Sequence, residues 1–102
     1  MADTPRMRID RFLWWARVTK SRSIAQKMAE SGTMRLDGRR IDRAHAQVRP
    51  GSIIAFARDG SVRILRVEAL PVRRGPPAEA ATLFTELIPG NTKDVDASSD
   101  AA

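Results

Sequence analysis

Apolar residues recur along the first third of the chain with a helical period. Ile9, Phe12, Leu13 and Ala16 fall at i, i+3, i+4 and i+7, one face of a helix. Asp10 stands in its first turn, where a carboxylate complements the positive helix end. Thr19 to Arg22 interrupt the pattern, and Ser21 is placed to cap a second helix. Ile24, Ala25, Met28 and Ala29 supply its apolar stripe, and Gly32 supplies its stop. From Thr33 the period changes to two. Met34 and Leu36 alternate with Arg35, Asp37-Gly38 is a hairpin signal, and Arg40-Ile41 begin the return strand. Residues 42–49 are irregular and polar. Pro50-Gly51 turn the chain into Ser52–Ala57, where Ile53, Ile54 and Phe56 mark a buried strand. Asp59-Gly60 signal a second hairpin, followed by a strand over Ser61–Leu70. Its apolar parity slips after Ile64, which predicts a bulge or burial on both faces.

Pro71 and the run Arg73-Arg74-Gly75-Pro76-Pro77 read as a linker. Ala80, Ala81, Leu83, Phe84 and Leu87 then describe an amphipathic helix over 78–88, ended by Pro89-Gly90. Residues 91–102 lack apolar content and are expected to be disordered. The pattern predicts an α+β chain. Two N-terminal helices pack on a small, mostly antiparallel sheet with a basic hairpin, and a short C-terminal helix follows. The expected division is a domain over 6–70, a linker and helical extension over 71–90, and a tail over 91–102.

Charge changes this picture more than overall composition does. The chain has 102 residues, enough for one domain with a modest core. Residues 1–75 carry 17 Lys and Arg against 7 Asp and Glu, a net +10, whereas residues 76–102 carry 1 against 5, a net −4. Of the 18 cations, 15 are Arg, whose planar fork of donors matches phosphate oxygens and base edges. The bias points to nucleic acid. The absence of cysteine excludes disulfides, thiolate catalysis and Cys-based metal sites. The opening residues contain no apolar signal segment and no run long enough to span a bilayer, so a cytoplasmic protein without a membrane partner is expected.

Candidate binding groups concentrate between Thr19 and Gly38. The start of the second helix has unpaired N–H groups and a positive macrodipole end, and Lys20 and Arg22 stand there beside the Ser21 cap. Cations are unfavourable for the helix at that end, which makes sense when a phosphate lies between them. Lys27 lies off the apolar stripe and Gln26 near its edge, so both extend the contact along a backbone. Arg35 is expected to line the same groove from the hairpin, with Arg39 and Arg40 adding charge beyond the turn. Arg8 flanks Asp10, and Arg17 ends the first helix, where a cation is also stabilising. Trp14 and Trp15 cannot both face the core, since adjacent helical residues point about 100° apart. The lone histidine, His45, has no partner of useful spacing. No metal-ligand set, nucleophile–base pair or GxxxxGK loop appears, so neither catalysis nor a cofactor is expected.

Four ordered blocks resemble the S4-type RNA-binding domain. They are Arg8-Ile9-Asp10-x-Phe12-Leu13, Lys20-Ser21-Arg22-Ser23-x-Ala25, Gly32-x-Met34-x-Leu36-Asp37-Gly38 and Val48-x-Pro50-Gly51-Ser52-x-Ile54. Asp37 stands where the family often has Asn, and Ser52 where it often has Asp. Phe12 to Arg17 and Arg73 to Ala81 further resemble the small bacterial heat-shock protein 15 group. That resemblance implies recognition of structured ribosomal RNA; a non-catalytic monomer is expected. The implied target is the large ribosomal subunit carrying a stalled nascent chain as peptidyl-tRNA, in recycling after heat stress. An RNA-targeting subunit for a separate modifying enzyme is one alternative. A DNA-binding protein is another, although the cations gather at a helix start and a turn instead of along a recognition helix.

Overall fold

The computed structural model describes residues 5–58 and 60–87. Asp59 of the second hairpin turn, the Pro89-Gly90 stop and the tail over 91–102 lie outside the described residues. The chain opens on β1 (Met7–Arg8), which runs directly into α1 (Ile9–Trp15), and α2 (Arg22–Glu30) follows. The basic hairpin is β2 (Met34–Leu36) and β3 (Arg39–Ile41). After β4 (Gln47–Val48) come the long strands β5 (Ile53–Arg58) and β6 (Ser61–Val67), then α3 (Pro77–Ala80) and β7 (Phe84–Leu87). Five antiparallel strands form one sheet in the order β3-β2-β5-β6-β7, and β1 pairs separately with β4.

Ser21 has extended backbone and its Oγ accepts from the Ile24 N–H at 3.2 Å, the expected cap of α2. The end of α1 is less ordinary. The Val18 N–H reaches back to the Leu13 carbonyl (2.9 Å) and the Arg17 N–H to that of Trp14 (3.1 Å), a Schellman closure. Arg17 occupies its left-handed position at φ 61, where glycine is the usual residue. Buried Leu13 and Val18 make the accompanying apolar contact. In the hairpin, Asp37 (φ 52) and Gly38 (φ 82) are both left-handed, the type I′ geometry whose twist suits antiparallel strands.

The helices cover one face of the sheet. Phe12, Leu13, Ala25 and Ala29 join Met34, Ile54, Phe56, Leu65 and Val67 in one core. Ile24, expected on the α2 stripe, is 39% exposed, because Ala25 and Ala29 point inward and Ile24 lies at the edge of that arc. The parity slip in β6 is not a bulge. Pairing with β5 is continuous from Ile53↔Arg66 to Arg58↔Ser61. Leu65 and Val67 face the helices, whereas Val62 and Ile64 lie on the opposite face, and Val62 is 52% exposed.

The helix expected over 78–88 is confined to the single turn Pro77–Ala80, begun by a proline at its first position. Phe84–Leu87 is a strand on the edge of β6. Without it, the outer N–H and C=O groups of β6 would have no partners. The Leu83 carbonyl also accepts from the Glu68 and Ala69 N–H groups (2.8 and 3.2 Å), and the Leu83 side chain is buried.

Candidate nucleic-acid interface

The corner between α1 and α2 is organised around Asp10. Its carboxylate is wholly buried and collects donors from three directions. Arg8 grips it with two bonds, Nε to Oδ1 at 3.0 Å and Nη2 to Oδ2 at 3.1 Å. The Arg11 N–H donates to Oδ1 at 2.8 Å. From α2, Arg22 Nε and Gln26 Nε2 both reach Oδ2 at 3.4 Å. Burial pushes the carboxyl's pKa up, but the Arg8 bond, the Arg11 N–H and the charges of Arg8 and Arg22 outweigh it and hold the group below its ordinary value. A cation at the first position of α2 thus has a second explanation. Arg22 compensates a buried anion, using one of its five N–H donors and leaving the rest for a ligand.

The remaining cations divide sharply by what they touch. Arg17 Nε donates to the Gly75 carbonyl (2.7 Å), Arg58 to Val18 (2.8 Å) and Arg74 to Trp14 (3.2 Å). These three arginines tie the end of α1 and the corner after it to β5 and the C-terminal segment. Arg63 binds Glu86 through two 2.7 Å bonds, and Arg66, Arg73 and Arg43 face Glu68, Glu79 and Asp42. Arg63 is held more strongly protonated by the Glu86 bond, and the Glu86 pKa is lowered by the same contact. Arg11 stacks over the half-buried Trp15 ring, 5.5 Å from its centroid. Lys20, Lys27, Arg35, Arg39, Arg40 and Arg49 have neither a carboxylate within 4.0 Å nor a carbonyl partner among the described residues. All six are exposed.

The register then decides which of them share a face. Arg35 pairs with Arg40 on one side and Ala55 on the other, while Leu36 pairs with Arg39 and Ile54. Arg35 and Arg40 therefore stand on the sheet face away from the helices, and Arg39 on the helix side. The groove expected to hold Arg35 beside Gln26 and Lys27 does not form. Arg8, Arg22 and Gln26 are brought together by Asp10, next to the Ser21 cap, with Lys20 and Lys27 exposed on the same helical unit. Like charges directly opposite in a sheet are destabilising, so the Arg35–Arg40 pair is a cost that an anion would remove.

Three features escape sequence reasoning. Asp10 gave no sign of linking residues 8, 22 and 26, since Arg22 is twelve positions away. Arg17 resembles an ordinary helix-terminal cation, and only its positive φ reveals its role. Arg49 lies in an irregular stretch, although the Pro50-Gly51 beside it marks the turn that fixes its position. Among the described residues no group of three or more His, Cys, Asp or Glu could hold a metal ion. No helix there is long and apolar enough to cross a membrane.

Comparison with known proteins agrees with this architecture. The S4 domain family model matches residues 7–54, which contain Asp10, α2, the basic hairpin and Arg49. Heat shock protein 15 of Escherichia coli strain K12 is 31% identical over 80 residues, 78% of this chain and 59% of its own length. The heat shock protein 15 homolog of Haemophilus influenzae is also 31% identical over 80 residues, covering 78% of this chain and 60% of that protein. The chain thus spans about three fifths of the length of these curated relatives. A trimeric structure of Vibrio cholerae heat shock protein 15 shares the fold with a TM-score of 0.74 at 29% identity, covering 81% of this chain and 83% of that one. The chain thus contains an S4 domain over residues 7–54 and is a homologue of heat shock protein 15 across some 80 residues.

Proposed function

We propose that this chain binds structured ribosomal RNA without altering it, and that its target is a large ribosomal subunit still carrying peptidyl-tRNA, met in the cytoplasm during recovery from heat stress. The observation that carries the RNA contact is the sorting of cations. In β5, β6 and the C-terminal segment, Arg58, Arg63, Arg66, Arg73 and Arg74 are all bound to carboxylates or carbonyls, whereas Lys20, Lys27, Arg35, Arg39, Arg40 and Arg49, all within the S4-matched residues, have no such partner among the described residues. The ribosomal target rests on the likeness to heat shock protein 15.

Each phosphate neutralised releases condensed counterions, so log affinity should fall linearly with log salt, by roughly 0.7 to 0.9 per contact. Fluorescence anisotropy over a salt series, with a ribosomal RNA hairpin and a DNA duplex of equal length, tests this. A slope near zero, or equal affinity for the DNA duplex, overturns the RNA reading and favours a generic or DNA-directed basic surface. Sucrose-gradient sedimentation with large subunits, with and without peptidyl-tRNA, tests the target. Oligomeric state belongs to the same reading. Light scattering separates the monomer of 11.3 kDa expected from the sequence from a trimer like that of the V. cholerae relative.

A further inference from the structure

On the helix side of the basic hairpin lies an open groove of about 440 Å³, lined by Leu36, Asp37, Arg39, Ile41 and Arg49. Its floor is apolar, with Leu36 and Ile41 half-buried against the core. Its cationic walls come from two separate elements. Arg39 is the cross-strand neighbour of Leu36, and Arg49 begins the turn through Pro50 and Gly51. That turn is held by Ser52 N–H to the Arg49 carbonyl (2.9 Å) and by the Arg49 N–H to Ser52 Oγ (3.0 Å). The hairpin tip is fixed to the start of β5 by a reciprocal pair. The Asp37 N–H donates to the Ile53 carbonyl (2.8 Å), and Asp37 Oδ1 accepts from the Ile53 N–H (2.9 Å). The groove is therefore built in advance of any ligand.

Its chemistry is that of a nucleotide seat. The volume lies in the range of small-ligand sites. An apolar floor beneath guanidinium planes suits the face of an unpaired base, and a second arginine suits its phosphate. Asp37 adds selectivity. With Oδ1 occupied by Ile53, Oδ2 has no partner among the described residues and can only accept a hydrogen bond. Once a docked base covers it and displaces water, that oxygen is a cost unless the base supplies a donor. Adenine, cytosine and guanine offer an exocyclic amine, whereas the exocyclic groups of uracil are both carbonyls. Its one edge donor, N3–H, lies between these two acceptors, which face a carboxylate unfavourably. We infer that the groove between the hairpin and the Arg49 turn seats one unpaired nucleotide of the bound RNA and prefers an amine-bearing base to uracil. The inference rests on the RNA-binding reading above.

The test uses the full chain and hairpin RNAs that are identical except for one bulged nucleotide (A, C or U) or none. Fluorescence anisotropy at fixed salt should show the A and C bulges bound about fivefold more tightly than the U bulge or the unbulged hairpin, the scale of one hydrogen bond. Asp37→Asn should reverse the preference. Asparagine tolerates the left-handed backbone and keeps an oxygen for Ile53, but turns the other atom into a donor. Arg49→Ala, at an exposed position whose backbone bonds survive, should remove most of the gain from a bulge and weaken the unbulged hairpin less than the bulged ones, since it takes only one of six such cations from it. Equal affinity for all four RNAs overturns the inference and leaves RNA binding standing. Failure to bind any of them overturns the RNA reading itself. An unchanged preference in a folded Asp37→Asn protein also overturns the assignment of Asp37.

Discussion

Asp10→Asn isolates the contribution of the buried hub. The substitution preserves shape and one carbonyl oxygen, but removes the charge and points an amide donor at groups that are themselves donors. In the native protein the two Arg8 bonds (3.0 and 3.1 Å) and the Arg11 N–H bond (2.8 Å) are well formed, while the Arg22 and Gln26 contacts at 3.4 Å are weaker. Removing one partner of a fully buried ion pair costs about 3–5 kcal/mol. Here the arginine side chains are 41% and 36% exposed and can rehydrate, so a cost of about 2–3 kcal/mol is expected. For a domain of this size that corresponds to a fall in Tm of roughly 10–20 °C, read by far-UV circular dichroism at pH 7. The pH dependence provides an internal check. Because the Asp10 pKa is lowered in the folded protein, its stabilisation is fully present above the unfolded value, about 3.8. It is lost as pH falls from there through the folded value. The gap between native and Asp10→Asn proteins should therefore be constant from pH 7 to 5 and close progressively below about pH 4. Shared carboxylates such as Glu68 and Glu86 cancel in this difference. A variant as stable as the native chain at pH 7, or a gap that ignores acid, refutes the hub.

Arg35→Ala and Arg40→Ala should each reduce RNA affinity about five- to tenfold, the effect of a charge-assisted contact of roughly 1–1.4 kcal/mol at an exposed site, while leaving Tm unchanged or slightly raised as the like-charge pair is relieved. Arg63→Ala removes the same charge from a residue already bound to Glu86, so anisotropy should show less than a twofold loss, with up to about 1 kcal/mol of stability forfeited; equal losses at residues 35 and 63 would mean a diffuse basic coat. Truncation after Leu70 should lower Tm and cooperativity markedly, because it strips β7 from β6 and removes the Arg74 and Gly75 contacts of α1. A truncated chain that melts like the full one would contradict this.

Elements whose signals are local could be read before the structure. The Ser21 cap, the Gly32 stop and the Asp37-Gly38 turn each need only a few adjacent residues, and all three occur where the sequence places them. A short C-terminal helix does form, but its expected extension through residues 84–87 gives way to a strand, because Leu83, Phe84 and Leu87 satisfy a helical spacing equally well over so short a run. The demand of the β6 edge for a partner, which decides the outcome, is invisible locally. The candidate site was legible as an inventory of cations but not as an arrangement. Period-two alternation already sends Arg35 to the face opposite Met34, yet which face the helices cover emerges only from packing. Nor does residue type separate Arg35 from Arg63. What separates them is Glu86, twenty-three positions downstream, which neutralises one and not the other.

The fastening of Arg17 and Trp14 to residues 75 and 74 has a kinetic meaning as well. It closes loops of nearly sixty residues onto the end of a seven-residue helix. Such contacts add to the long-range packing of the helix pair on β5 and β6 and raise the contact order of its corner further. On a growing chain, α1 and α2 can form as soon as they emerge, but the left-handed corner between them acquires its last ties only after β6 and the proline-rich segment have been made. The helix pair that presents Lys20 and Arg22 is thus among the first elements synthesised and among the last to become rigid.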